Sequence, residues 1–272
     1  MNRLVLPLAA VLCIAAAPVP ADDFHLFGKL EQGGVAYGTA PAGTVSLKLG
    51  DQPVPLASDG RFILGFDRDA LGSVVLEART AAGAVTRTLA IAPHAWAIER
   101  VDVPKRPSVT NEEFERLRAP EVARINAARA VNAASEGWHQ HFVWPAEGRI
   151  SGVFGSQRIY RGGEAGDYHA GVDIAGGAGA PVTAPADGVV VLAADKPFTL
   201  EGNLLIIDHG MGLNSAFLHL SRIDVKEGDR VKKGQLIGAI GSSGRATGPH
   251  LHWALKWKNA RIDPMALAPP KP

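Results

Sequence analysis

Four histidines and an aspartate stand in three short clusters: His169-Ala-Gly-Val-Asp173, Phe217-Leu-His219-Leu-Ser221 and Gly248-Pro-His250-Leu-His252. Imidazole nitrogen and carboxylate oxygen together suit a zinc ion, which in a hydrolytic site takes three protein ligands and keeps a position for water. Such an ion brings the pKa of its water towards neutrality and polarises a carbonyl, while a neighbouring histidine carries the proton. The clusters therefore read as metal-assisted amide hydrolysis. On an extended strand, side chains at i, i+2 and i+4 share a face, so His169 and Asp173 are expected to address one ion, and His250 and His252 one pocket. Same-face neighbours are about 7 Å apart, so one histidine of the second pair can hold the metal while the other stands beside water or substrate. Spacing alone leaves open which of the two is the ligand.

The elements that must position these groups are short strands. From Phe24 to about Pro104 alternating runs (Val45 to Leu49, Arg61 to Phe66, Val74 to Ala78, Val85 to Ile91) are separated by turn signals at Asp59-Gly60 and Ala82-Gly83. That spacing predicts a small immunoglobulin-like β-sandwich over 22–105. Residues 106–143 read as a helical connector. Thr110-Asn-Glu-Glu113 has the pattern of a capping box, apolar residues from Phe114 to Ala128 recur at near-helical spacing, and Pro120 predicts a kink or restart. From Trp144 to the end, glycine is frequent and strand-like runs return at Val189–Ala193, Leu204–Asp208, Asn214–Leu220, Gln235–Ile240 and Leu251–Trp257. The expected fold class is all-β: a β-sandwich, the connector, and a β domain over 144–272 resembling a barrel-sandwich hybrid, with Val225 to Gln235 as a hairpin-like turn.

Residues 144 to about 264 resemble the M23 family of zinc metallopeptidases, the lysostaphin-type or LytM-domain peptidoglycan endopeptidases. The resemblance is carried by Trp144-Pro145 with Gly148, Ser151 to Gly155, the His169-x-x-x-Asp173 motif, Ala184 to Gly188, Asp208-His-Gly210, His219-Leu-Ser221 and Gly241 to His252. It implies that His169, Asp173 and His252 hold one Zn2+ and that His219 and His250 are the catalytic pair. It implies as substrate the peptide cross-links or stem peptides of peptidoglycan. A non-catalytic activator or scaffold of cell-wall amidases or the division machinery is the alternative, and a phosphocarrier of the similar hybrid-barrel type is disfavoured by the Asp173 motif. Phe217 stands where many members have tyrosine, so Tyr160 or Tyr168 is the expected source of an oxyanion-stabilising hydroxyl.

Other features have plainer readings. His139-Gln-His141 repeats the H-x-H spacing without a carboxylate motif and reads as structural or surface, as do His25 and His94; His209 reads as a turn or supporting histidine. Gly241 to Gly248 lacks the Gly-Lys-Ser/Thr ending of a phosphate loop and is expected to form a flexible wall of the groove, with Arg245 able to meet an acidic peptide. Arg3 with the apolar run Leu4–Ala17 and Pro18-Val-Pro-Ala21 reads as a signal peptide cut after Ala21, implying export to the periplasm. That run is shorter than the roughly 20 residues of a membrane span. The single cysteine, Cys13, lies within it, leaving no thiol after cleavage. With Arg3 removed, the 28 basic residues become 27 against 27 acidic ones. No basic patch of the size a nucleic acid requires is visible.

Overall fold

A computed structural model describes residues 23–105 and 111–271. The signal peptide expected over 1–21 and the capping-box residue Thr110 lie outside these residues.

The first strands are β1 His25–Gly28, β2 Val35–Thr39, β3 Thr44–Leu49, β4 Gln52–Val54, β5 Arg61–Gly65, β6 Ser73–Thr80 and β7 Gly83–Ala90. They form a three-stranded sheet, β1-β2-β5, and a four-stranded sheet, β4-β3-β6-β7. Phe62 and Leu64 of one sheet and Leu47, Leu76 and Leu89 of the other are buried in one cluster, so alternation along each strand fills a shared core. In the constant-type immunoglobulin arrangement the fourth strand joins the first sheet, whereas here β4 folds back on β3 across Gly50 and Asp51.

After β8, Ile98–Arg100, the chain enters helix α1, Glu112–Ala130. The N-cap is Asn111, whose side chain accepts from the Phe114 amide at 2.7 Å. The helix runs through Pro120 without the restart that is one of the two expectations for it. Tertiary contacts hold the turns around it: Arg118 makes a two-bond pair with Glu201 at 2.6 and 2.7 Å. Glu121 accepts from the amide and hydroxyl of Thr199 at 2.7 and 2.6 Å. Ile125 and Ala128 pack on Leu192, Leu204, Ile206 and Ala216.

The remaining strands are β9 Arg149–Gly152, β10 Gln157–Ile159, β11 Val172–Ala175, β12 Pro181–Thr183, β13 Gly188–Ala193, β14 Asn203–Gly210, β15 Leu213–Leu220, β16 Arg222–Ile223, β17 Arg230–Val231, β18 Leu236–Ala239, β19 Leu251–Trp257 and β20 Ala260–Ile262. An eight-stranded antiparallel sheet runs β17-β13-β14-β15-β19-β11-β9, with β20 on β19, and β12-β18-β16 form a smaller sheet. The protein is all-β with one long helix, and no barrel closes among the described residues. The segment Val225 to Gln235 is not a hairpin: its strand β17 pairs with β13, and two side-chain-closed turns at Lys226–Asp229 and Lys232–Gln235 flank it.

The buried clusters of the sandwich and the large sheet are continuous. The helix packs on the large sheet, so other contacts join the two regions. β8 pairs in parallel with β10. The Arg68 guanidinium, 8% exposed, donates to the Gly155 carbonyl at 3.1 Å and to Gln157 at 3.0 Å. The Asp67 carboxylate accepts from the Arg261 amide at 2.8 Å.

His209 is wholly buried, its Nδ1 donating to the Asp187 carbonyl at 2.8 Å and its Nε2 accepting from the Ser215 hydroxyl at 2.7 Å. Burial pushes its pKa down from 6.5 to about 4. The unfolded chain therefore takes up a proton that the folded chain refuses. This stabilisation is complete above pH 6.5 and is lost as the pH falls to about 4, a contribution of about 3 kcal/mol. Denaturant titrations between pH 7 and pH 4 should show His209→Gln losing stability less steeply than the parent; parallel curves would refute the role.

Candidate metal centre

The three ligand candidates meet on adjacent elements. Register sets Asp173 of β11 opposite His252 of β19 and Gly152 of β9. His169 does not share a strand with Asp173, because β11 begins at Val172. On a continuous strand the two residues would be about 13 Å apart, too far for one ion. A bend at Gly171 returns His169 to the site, and a β-carbon at Gly171 would lie 2.5 Å from the Trp253 carbonyl oxygen and 2.8 Å from His252 Nε2.

His169 Nε2 is 3.0 Å from Asp173 Oδ1 and 3.0 Å from His252 Nδ1, and that nitrogen is 2.9 Å from Asp173 Oδ1. Ligands of a tetrahedral zinc with bonds of about 2.0–2.1 Å stand about 3.3 Å apart, so this triangle needs to open only slightly. The neutral-or-anionic donor set fits the ion, and so does the bare backbone beside it. A β-carbon at Gly152 would lie 2.5 Å from Asp173 Oδ2 and 3.1 Å from His169 Cε1. His169 Nδ1 donates to the Val153 carbonyl at 3.1 Å, which turns its Nε2 lone pair inward.

The electrostatics follow from this closeness. Burial drives the Asp173 carboxyl up, but hydrogen bonds from His169 and His252 in their protonated forms outweigh it and hold the group well below the usual carboxylate range. Burial likewise pulls His169 down, yet its hydrogen bond to Asp173 raises it overall. His252 is pulled down by burial, which its bond to Asp173 only partly offsets.

His219 and His250 stand beside this triangle with ring centroids 5.0 Å apart, and the His219 ring is 6.3 Å from that of His252. His219 Nδ1 donates to the Ser243 carbonyl at 2.9 Å and His250 Nδ1 to the Gly248 carbonyl at 2.8 Å. A carbonyl only accepts, so each neutral ring carries its proton on Nδ1 and leaves Nε2 as a lone pair. His250 Nε2 lies 3.7 Å from Asp173 Oδ1. Burial pulls the His219 pKa down. His219 adopts φ 63, the left-handed region, where the β14–β15 register shifts between Asn203 and Leu205. A bulge of this kind re-aims a side chain at a strand end.

All five candidate residues thus lie together. The H-x-H pair at His139 and His141 lies apart from the triangle, with His139 against Glu136 at 3.0 Å. Tyr160 and Tyr168 line the cleft on the His169 side, where the Tyr168 hydroxyl accepts from Arg261 at 3.2 Å. Sequence reasoning missed Ser243. Its carbonyl holds His219, and its hydroxyl donates to the Leu220 carbonyl and accepts from the Asn203 amide, both at 2.8 Å. The Gly241–Gly248 loop is accordingly tied down at Ser243, not free. Only the dense Gly-Ser-Ser-Gly run at 241–244 hinted at so close a backbone approach.

Two imidazoles and a carboxylate converge beside two further histidines, at the edge of an open cleft on an antiparallel sheet, a donor set that suits a metal ion. Residues 167–264 match Peptidase family M23, and this part of the chain belongs to it. The chain is 38% identical over 138 residues to the peptidoglycan DD-endopeptidase ShyA of Vibrio cholerae, covering 48% of this chain and 32% of that protein. It is 36% identical over 126 residues to the murein hydrolase activator NlpD of Escherichia coli, covering 46% and 31%. The chain therefore spans about a third of the length of these curated relatives. A Pseudomonas aeruginosa crystal structure assigned to peptidase M23 superposes with TM-score 0.67 at 28% identity, covering 88% of this chain and 94% of that one.

Proposed function

We propose that the chain is an exported zinc metalloendopeptidase of the periplasm that hydrolyses peptide cross-links or stem peptides of bacterial peptidoglycan. In this reading 144–272 is the peptidase domain, 22–105 an accessory β domain and 106–143 the connector between them. The observation that carries it is the triangle of His169, Asp173 and His252 with two histidines beside it, together with the likeness to peptidoglycan DD-endopeptidases.

His169, Asp173 and His252 would hold the ion. When bound, zinc supplies Lewis acidity, acidifying water and polarising the scissile carbonyl. His219 and His250 handle the protons. Each offers an Nε2 lone pair, and the burial that keeps His219 neutral leaves it free to accept the proton of the attacking water. Once protonated, the ring becomes an Nε2–H donor, able to steady the developing oxyanion and then to pass the proton to the leaving amine.

The likeness to NlpD supports a second reading, a non-catalytic activator of murein hydrolases. Digestion of purified peptidoglycan by the mature protein, with chelator and with zinc restored, separates the two. Endopeptidase action predicts zinc-dependent loss of cross-linked dimers, absent in His169→Ala. An intact dimer population with zinc bound would leave the activator reading.

A further inference from the structure

The outer face of β19 extends away from the metal centre beneath α1. His252, Ala254 and Lys256 alternate with the buried Leu251, Trp253, Leu255 and Trp257 and line a cavity of 360 Å³. Arg118, Arg129 and Arg261 also line it, against a single acidic residue, Glu201. Arg118 occupies both oxygens of Glu201. The nearby Asp67 accepts from the Arg261 amide. Arg129, Lys256 and Arg261 thus line one cavity with no carboxylate hydrogen-bonded to their side chains; the Arg261 guanidinium donates to the Tyr168 hydroxyl, and Asp67 and Asp167 act on it only through space. Arg129 Nε is buried without a hydrogen-bond partner, an arrangement that costs free energy unless a ligand completes it. Burial pulls the Lys256 ammonium down, and the charges of Arg129 and Arg261 add to it against the opposing charge of Asp67.

From this juxtaposition we propose that Arg129, Lys256 and Arg261 form a subsite for a free carboxylate of a peptide lying along the cleft. The inference rests on the endopeptidase reading for its substrate class, but the binding it describes requires no cleavage. Lys256 is two same-face steps from His252, or about 13 Å, so the carboxylate belongs to a residue within about four positions of the scissile bond. The connector helix then contributes to substrate choice: Arg129 lies in its last turn, and α1 forms one wall of the subsite.

The test is binding of a fluorescent stem-peptide dimer to the full chain, stripped of metal by chelation so that nothing is cut. The free-acid dimer is compared with its fully amidated form and with two forms amidated only at the terminal or only at the internal carboxylate. The acid should bind about tenfold to a hundredfold more tightly than the full amide, the preference following one carboxylate. It should fall to within about twofold in Lys256→Gln and in Arg129→Gln, with Lys256→Gln decisive if loss of Arg129 unsettles the helix. Equal binding of acid and amide by the parent, or a preference unchanged in Lys256→Gln, would overturn the subsite. A preference that survives while zinc-loaded protein leaves peptidoglycan intact would remove the endopeptidase reading and keep the subsite.

Discussion

Replacing His219 with asparagine is expected to lower kcat about 10²–10⁴-fold while the protein still binds its full complement of metal. Asparagine tolerates the left-handed backbone that His219 adopts at φ 63, so the bulge is retained and the change is confined to the ring. No hydrogen bond links His219 to the ligand triangle, since its Nδ1 goes to the Ser243 carbonyl. Metal content, measured by elemental analysis, should therefore match the parent, whereas His169→Ala should lose both metal and activity. His250→Ala should resemble His219→Asn in rate. Because His250 Nε2 lies 3.7 Å from Asp173 Oδ1, its removal should also perturb metal affinity modestly. A His219→Asn enzyme within about threefold of the parent rate would remove this residue from the proton-transfer step.

Much of this centre could be read before any coordinates, and the failures are instructive. The pair at 250 and 252 follows from extended geometry: His252 lies on β19, and His250 stands one residue before that strand, in an isolated bridge to Gly241. The pair at 169 and 173 came together for a different reason than expected. An unbroken strand would have separated them, and only the bend at Gly171 brings them within 3.0 Å. Local sequence shows that a glycine is present, but not that the Trp253 carbonyl passes close against it. The same limit hid Ser243, whose part in the site lies in its backbone oxygen, an atom every residue possesses. Strands β8 and β10 were unread because each is three residues long and gains its stability from the other, 59 positions away in register. Pro120 marks the opposite case: the helix does not restart there, and the Arg118–Glu201 and Glu121–Thr199 contacts hold the turns around it.

Gly152→Ala should cost about 10–100-fold in metal affinity although Gly152 supplies no ligand atom. The effect is steric. Gly152 pairs with Asp173 across β9 and β11, and a β-carbon there would sit 2.5 Å from Asp173 Oδ2 and 3.0 Å from Cγ. Gly152 is not among the residues with positive φ, so alanine suits its backbone and the penalty falls on the carboxylate. Asp173 cannot swing aside without leaving His169 and His252, both of which depend on its Oδ1. The lost affinity should therefore appear as a raised zinc requirement, with activity partly recovered at high zinc, and not as global unfolding. The neighbouring Ser151→Ala removes only a 3.4 Å contact to the Asp173 carbonyl and should stay near the parent. Equal zinc titrations for Gly152→Ala and the parent would mean that the carboxylate has room to move, and that the bare backbone at 152 is kept for the approach of substrate instead.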